Sequence, residues 1–203
     1  MERRKLLAGW IERLPKEPLQ VLDVGGRIQP YRSLLEGRLK TYFSVDPLAT
    51  KLVNAVALGE RLPFAPACFD LVICTQVLCY CVNPFKVVQE IHRVLKPGGR
   101  LLLSSPAIFP RHAELDRWRF FPSGLQLLLQ DFSHVEIAPE GYSLAAVCRT
   151  MTVGLDQYLT NGLLHRLAAS LVIPVVNRIG RRFDKLSSSD TRFTTNYCVF
   201  AQK

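Results

Sequence analysis

LQVLDVGGRIQP, residues 19–30, is the stretch of sequence that decides the fold. A short apolar run ends at Asp23 and continues into Gly25 and Gly26, a pattern typical of a parallel strand that ends in a turn close to a ligand. An isolated pair of glycines is explained more simply by an ordinary turn between a strand and a helix. The motifs that follow along the chain therefore decide between these two interpretations.

Strand and helix patterns alternate after this turn. Asn83 can cap a helix over residues 83–95, and the sequence KPGG at 96–99 ends it. Strands are predicted at residues 41–45, 53–58, 70–74, 101–104, 134–138 and 194–201. This alternation predicts an α/β fold with a mostly parallel, doubly wound sheet. Because such sheets bind ligands at the carboxyl ends of their strands, Asp23 and Asp46 are expected to share one edge.

Three further segments have helical spacing of apolar residues. We expect an amphipathic helix at residues 2–14 and a short helix at residues 31–39 that starts after Pro30. A long apolar stripe at residues 155–179 predicts a helix kinked near Pro174, with arginines beside it. For this segment the alternatives are a helix packed on the core or forming a lid, a dimer contact, and an interfacial membrane helix.

Composition limits the class of protein. The chain has 203 residues, of which 48% are hydrophobic, so it can bury the core of one domain. Its 26 Lys and Arg against 17 Asp and Glu give a net charge of +9, which favours an anionic partner. The six cysteines contain no CxxC pair and predict reduced, mostly buried thiols without a metal. Because the sequence has no signal peptide and no apolar run long enough to span a membrane, the expected location is cytoplasmic.

Four motifs resemble, in order and spacing, those of class I S-adenosylmethionine-dependent methyltransferases. They are VLDVGG, YFSVDP, GERLPFAPACFDLVICTQVL and NPFKVVQEIHRVLKPGGRLLLSSP. The segment 112–129, HAELDRWRFFPSGLQLLL, is similar to a small bacterial subgroup. The resemblance implies a seven-stranded Rossmann-like sheet whose last strand is antiparallel. It also implies one domain over residues 1–203, divided into a cofactor-binding core at 1–141, a helical insertion or lid at 142–193, and the final strand at 194–203.

The resemblance also implies the cofactor S-adenosyl-L-methionine and a site for it. Asp23, Gly25 and Gly26 would meet its amino acid end, and Asp46 would accept hydrogen bonds from its ribose hydroxyls. Around these residues, the expected site adds Tyr31 and Arg32 at the carboxylate, Gln76 at the methionine portion, and Leu48, Leu62 and Phe64 at the adenine.

The chain departs from the family pattern at three places. Arg27 stands where a second glycine is usual, so we expect the turn to pass through Gly25 and Gly26 with Arg27 pointing outward or toward the cofactor carboxylate. Leu58 replaces a common Asp, which leaves adenine recognition to backbone groups near Gly59 and Glu60. The pair Cys79-Tyr80 replaces an acidic residue and a His, which excludes mechanisms that need those two groups.

Candidates for a general base are His112, Asp116 and Tyr80. His112 can equally be a loop residue, and Asp116 can simply pair with Arg117 or Arg119. Arg111, Arg117 and Arg119 could hold a phosphate or carboxylate on the acceptor, although a solvated basic loop explains them as well.

The sequence therefore predicts a methyltransferase for a small or carrier-linked acceptor, including an anionic glycan or lipid intermediate. The alternative is a non-catalytic protein of the same fold with a degenerate cofactor turn. Nucleic acid ranks last as a partner because only the net charge favours it. A peripheral membrane contact or a homodimer through residues 155–182 is the remaining expectation for partners.

Overall fold

A seven-stranded sheet forms the centre of the protein, as seen in a computed structural model that describes residues 2–111, 113–159, 165, 167–184 and 193–203. The spatial order is β3-β2-β1-β4-β5-β7-β6. The first five strands pair in parallel, and β7 is antiparallel to both of its neighbours. The strands are β1 (Leu19–Val24), β2 (Leu39–Asp46), β3 (Ala55–Val56), β4 (Phe69–Thr75), β5 (Leu95–Pro106), β6 (His134–Pro139) and β7 (Asn196–Gln202). The predicted fold class is thus confirmed, including the antiparallel last strand.

Within the described residues, five helices accompany this sheet. They are α1 (Glu2–Glu12), α2 (Pro84–Val94), α3 (Pro122–Leu128), α4 (Ser143–Tyr158) and α5 (Ile173–Asp184). Helix α1 covers one face of the sheet, and α2 and α3 cover the other. The expected cap of α2 is present, because the Asn83 side chain accepts a hydrogen bond from the Lys86 amide. No helix of the described residues has the length and hydropathy needed to cross a bilayer.

The alternating direction of successive side chains along each strand explains why both faces of the sheet are covered. In β4, Leu71 and Ile73 pack in the cluster beneath α1, whereas Val72 and Cys74 pack in the cluster beneath α2 and α3. Successive side chains of a strand point to opposite faces, so a strand that is apolar throughout needs two covering layers. The near-continuous apolar runs of the sequence therefore encode the three-layer arrangement.

Two predicted helices differ from the observed ones. The helix expected at residues 31–39 is wrong in extent, since only a 3-10 turn forms at Arg32–Leu35. Gly37 follows with φ +77°, a conformation that ends the helical path before β2 begins.

The long helix expected at residues 155–179 is instead two segments. The first helix, α4, begins earlier, at Ser143, and the second, α5, follows a π-helical turn at Ala168–Val172. This turn ends two residues before Pro174, whose backbone nitrogen has no hydrogen to donate. Residues 160–164 and 166 of the predicted stripe lie outside the described residues.

The helices α4 and α5 pack against each other as a hairpin. A Cβ atom placed on Gly180 would lie 3.0 Å from Cβ and Sγ of Cys148, so glycine permits the close approach. The Asp184 carboxylate accepts hydrogen bonds from the backbone N–H groups of Tyr142 and Ala145, both at 2.9 Å. Because these groups lie at the start of α4, Asp184 caps one helix from the end of the other.

The Asp184→Ala variant tests this cap. We expect faster hydrogen exchange of the amides in the first two turns of α4, because two N–H groups lose their acceptor. The loss of a cap is worth about 1 kcal/mol, or roughly a fivefold rate increase. Hydrogen exchange followed by mass spectrometry measures the change. The matched control is Asn83→Ala, which should affect α2 and leave α4 unchanged; equal exchange of α4 in Asp184→Ala and the wild type would contradict the assignment.

Candidate functional site at the carboxyl edge of the sheet

The glycine turn lies over the end of β2. Val24 of β1 is in register with Val45 of β2, so both strands end at the same level. The N–H groups of Gly25 and Gly26 both donate to the carbonyl oxygen of Val45, at 2.8 and 3.2 Å. This places the turn directly beside Asp46, the last residue of β2.

Glycine is required at both positions of the turn. Gly25 has φ +77°, which favours glycine, and a Cβ atom there would lie 2.3 Å from a methyl group of Val77. A Cβ atom on Gly26 would lie 2.7 Å from Cγ of Asp23. Arg27, which follows, is exposed to solvent. The backbone therefore turns through the two glycines, and Arg27 does not fill the space beside them.

Asp23 supports the turn from below. Its side chain is only 2% exposed, and Oδ2 accepts a hydrogen bond of 2.6 Å from the Tyr42 hydroxyl. Burial raises the pKa of Asp23 to about 6, assisted by the charge of Asp46 and opposed by the bond from Tyr42. A carboxylate so enclosed has little surface for a ligand. Its side chain packs beneath Gly26, within 2.7 Å of the position that a Cβ atom would take there.

Asp46 is the more accessible of the two carboxylates. Its Oδ1 accepts a hydrogen bond of 2.9 Å from the Leu48 amide, whereas Oδ2 has no partner among the described residues. Two apolar side chains stand near it, Leu48 at 56% exposure and Leu58 at 60%. An accessible carboxylate oxygen beside exposed apolar surface matches the needs of a ribose diol next to an aromatic base.

The other residues expected around the adenine have structural positions. Leu62 is buried, so it offers an aromatic ring almost no surface. Phe64 packs on Phe69, the first residue of β4, with ring centroids 4.9 Å apart. Because the candidate site lies at the other end of β4, Phe64 is not part of it.

Gly59 and Glu60 fix the loop between β3 and β4. The Glu60 carboxylate accepts hydrogen bonds from the backbone N–H groups of Val82, at 2.9 Å, and Asn83, at 3.4 Å. Gly59 is buried, and a Cβ atom there would lie 3.2 Å from Val87 of α2. Both bonds are made to Oε1, so they orient the Glu60 side chain toward the backbone that leads into α2.

Gln76 follows β4 in a conformation that is rare for a residue with a side chain, with φ 59°. Its Nε2 donates to Ser104 Oγ at 3.2 Å and to Asn196 Oδ1 at 3.1 Å. Such left-handed residues cost about 1 kcal/mol or more and are concentrated at functional sites. Asn196 is buried and was missed by sequence reasoning, because no local pattern connects residues so far apart in the chain.

Tyr31 and Arg32 lie toward α1 and β2. Tyr31 is buried in the cluster beneath α1, where it interacts with Arg3. The Arg32 guanidinium lies 5.3 Å from the ring centroid of Tyr42 and donates to Gln29 Oε1 at 3.0 Å. Both side chains are therefore engaged by protein groups.

The residues expected on the acceptor side form a strapped loop. Arg119 donates to both carboxylate oxygens of Asp116, at 2.5 and 2.7 Å, and to the carbonyl oxygens of Phe109 and Pro110. The backbone N–H groups of Arg117 and Trp118 donate to Cys79 O. Asp116 therefore pairs with Arg119, the structural alternative that the sequence left open.

The remaining candidates for a base have different outcomes. Burial, followed by the proximity of Cys79 and Asp116, raises the pKa of the Tyr80 phenol, so Tyr80 is protonated at neutral pH. His112 lies outside the described residues.

Within the described part of the chain, no group of three or more His, Cys, Asp or Glu side chains is arranged to hold a metal ion.

A separate concavity of about 190 Å³ lies at the opposite edge of the sheet. Asp70 and Lys96, which line it, form a salt bridge of 2.8 Å at the amino-terminal ends of β4 and β5. Ligands of open α/β sheets bind at the carboxyl ends of the strands, so we do not assign the candidate site to this concavity.

Comparison with known proteins matches the same elements. Residues 22–103 match the family model described as a methyltransferase domain. The chain is 35% identical over 92 residues to thiol S-methyltransferase TMT1B of Rattus norvegicus, covering 41% of this chain and 38% of that protein. It is 31% identical over 115 residues to malonyl-[acyl-carrier protein] O-methyltransferase of Methylococcus capsulatus, covering 49% of this chain and 42% of that protein.

The fold is also found among solved structures. A SAM-dependent methyltransferase from Archaeoglobus fulgidus superposes with a TM-score of 0.60 at 15% identity, covering 98% of this chain and 94% of that one. At this identity the likeness concerns the fold alone.

The sequence matches are partial. The segments matched to the thiol S-methyltransferase and to the malonyl-carrier O-methyltransferase span about two fifths of the length of those two proteins.

The raised pKa of Asp23 predicts a pH dependence of stability. A pKa raised in the folded state means that Asp23 contributes most below the unfolded value of 3.8, and that this contribution is lost as the pH rises through about 6. The difference corresponds to roughly 3 kcal/mol. The free energy of unfolding of the wild type, relative to Asp23→Asn, should therefore fall between pH 4 and pH 7. Urea unfolding at several pH values measures it.

The Tyr42→Phe variant is the companion measurement. The hydrogen bond from Tyr42 lowers the pKa of Asp23, so its removal should shift the same loss of stability to higher pH. A difference between wild type and Asp23→Asn that stays constant with pH would contradict the raised pKa.

Proposed function

We propose that this chain transfers a methyl group from S-adenosyl-L-methionine to a small or carrier-linked acceptor. The premise is that residues 22–103 carry a methyltransferase domain of the class I S-adenosylmethionine-dependent family. The observation that carries the proposal is the position of the accessible Asp46 carboxylate beside the Gly25-Gly26 turn at neighbouring strand ends. At this edge of the sheet, the Asp46 carboxylate can accept hydrogen bonds from a diol, and a ligand can approach the backbone of the neighbouring glycine turn.

The residues present fit this cofactor. Asp46 Oδ2 would accept from the ribose hydroxyls, Leu48 and Leu58 would flank the adenine, and the glycine turn with Gln76 would meet the methionine portion. The fit rests on the backbone turn that the two glycines make beside the end of β2 and on the uncommitted oxygen of Asp46. When bound, S-adenosyl-L-methionine supplies a methyl group on an already activated sulfonium. The chain's own task is to align the acceptor and to exclude water.

The acceptor that suits this site is one that is already an anion or ionises readily. Of the three candidate bases, Asp116 is held in a salt bridge with Arg119 and Tyr80 is protonated at neutral pH, so these two are not suited to remove a proton, and His112 lies outside the described residues. A thiolate or a carboxylate needs no strong base. The names of the relatives, a thiol S-methyltransferase and a malonyl-carrier O-methyltransferase, support both chemistries. Carboxylates of glycan or lipid intermediates belong to the same class.

We also propose how the chain is divided. Residues 1–141 form the cofactor-binding core, residues 142–193 form a lid on the acceptor side, and residues 194–203 complete the sheet, all within one domain. Support comes from Arg149 of α4, which lies 3.4 Å from Glu140 and over the ring of Phe109, next to the carboxyl edge. All six cysteines are free, which supports a reducing, cytoplasmic compartment.

Calorimetric titration with S-adenosyl-L-methionine tests the proposal. The wild type should bind, and Asp46→Ala should abolish detectable binding because the ribose loses its acceptor. Arg27→Ala is the matched control from the same turn and should retain binding within about twofold, since its side chain is exposed. Absence of binding by a well-folded wild type would favour the alternative, a non-catalytic binding protein of this fold.

The pH dependence of methyl transfer tests the nature of the acceptor. With a simple thiol, kcat/KM should rise with pH until the pKa of that thiol is reached, and a more acidic thiol should reach its plateau at lower pH. Tyr80→Phe should leave this profile unchanged. A profile set by an enzyme group, with the same midpoint for both thiols, would show instead that the protein supplies a general base.

A further inference from the structure

One face of the second helix of the hairpin is apolar and faces solvent. Four side chains recur at every fourth position through the π-helical turn and α5, and each is about half exposed. They are Leu171 at 61%, Val175 at 54%, Ile179 at 48% and Phe183 at 50%. Residues four apart lie on the same face of a helix, so they form a continuous stripe, which we call the α5 stripe.

The stripe is not the face that packs on the protein. Gly180 is in contact distance of Cys148, and Asn177 Oδ1 accepts a hydrogen bond of 3.3 Å from Thr152. Asp184 caps α4 from the same side. The residues of α5 that contact α4 are therefore different from the apolar residues of the stripe, which face solvent. A helix that only covered the core would place such residues inward and polar residues outward.

Positive charge accompanies the stripe. Arg178 and Arg182 are exposed and lie one position before Ile179 and Phe183. Neither forms an ion pair with another residue in the described part of the chain. The only acidic residue of α5 is Asp184, which is buried and engaged with α4. The exposed surface of this helix is thus apolar and cationic.

We propose that the α5 stripe docks on the surface of an anionic lipid bilayer. Interfacial helices insert Leu, Val, Ile and Phe side chains at the boundary of headgroups and acyl chains, while arginines meet the headgroup phosphates. A second copy of this chain fits less well, because a two-fold pairing of stripes would bring the four arginines of the two copies together. A nucleic acid would use the arginines and leave the apolar residues in water.

The hairpin would bring the candidate site near the membrane. The Thr194 hydroxyl donates to Gly141 O at 3.2 Å, so the start of the hairpin is tied to the end that leads into β7. Glu140, just after β6, binds Arg149 of α4 and Arg3 of α1. Docking of α5 therefore holds the carboxyl edge of the sheet close to the lipid surface. The membrane contact itself does not depend on the proposed methyl transfer.

Vesicle sedimentation with the full chain tests the inference. We expect binding to vesicles of phosphatidylglycerol and phosphatidylcholine in equal amounts, and at least tenfold weaker binding to phosphatidylcholine alone. Arg178→Gln with Arg182→Gln should weaken binding to the anionic vesicles about twenty-fivefold, because each arginine near such a surface contributes about fivefold. Ile179→Asp should weaken it by a similar factor through the loss of apolar insertion.

Matched controls remove the same properties elsewhere. Lys16→Gln with Lys40→Gln takes away two exposed positive charges at the other edge of the sheet, and Leu127→Asp places a charge on an exposed apolar position of α3. Both should bind vesicles as the wild type does. Circular dichroism and thermal unfolding should show that every variant is folded.

Four outcomes would overturn the inference. These are no binding of the folded wild type to anionic vesicles, equal binding to both kinds of vesicle, equal loss in the controls and the stripe variants, or a dimer of the wild type that Ile179→Asp dissociates. The last outcome, measured by sedimentation equilibrium without lipid, would assign the stripe to a second copy. Binding of S-adenosyl-L-methionine is a separate measurement, so a failure of either idea is recognised on its own.

Discussion

The buried carboxylate of Asp23 is the constraint on which the candidate site depends. It is removed from water at the end of a central strand, and the Tyr42 hydroxyl is its hydrogen-bonding partner. Its atoms lie so close beneath Gly26 that no other residue would fit there. The same buried carboxyl group that costs free energy to remove from water therefore also sets the shape of the turn above it. This shape brings the Gly25-Gly26 turn to the end of β2, next to Asp46.

Long-range hydrogen bonds complete the carboxyl edge. Gln76 reaches Asn196 in the last strand, and Glu60 binds the backbone that leads into α2. Arg119 closes its own loop through Asp116 and two carbonyl oxygens. In each case a polar side chain that could contact a ligand is used to hold another segment in place. Preorganisation of this kind lets a site align two reactants, which is the main requirement for methyl transfer.

The hairpin of α4 and α5 differs from the carboxyl edge of the sheet in which side chains it packs inside and which it exposes. Its internal packing is made by small and polar groups, namely Gly180 against Cys148 and Asp184 against the start of α4. Large apolar side chains remain outside, together with arginines. The sheet thus positions the candidate site, and the hairpin presents an exposed surface that is apolar and cationic. The two parts meet at Glu140, which accepts hydrogen bonds from helices on either side.

The sequence by itself determined the class of fold, the positions of most strands and the glycine turn. Apolar runs, a proline at the first turn of α2 and a glycine pair act over a few residues, so their consequences can be derived locally. It also identified Asp46 as a carboxylate at a strand end. Only the tertiary structure decided that Asp23 is enclosed, that Leu62 is buried and Phe64 packs on Phe69, and that Asp116 is paired with Arg119. Burial and hydrogen bonding depend on which distant segments pack together, and no local pattern of residues specifies those neighbours.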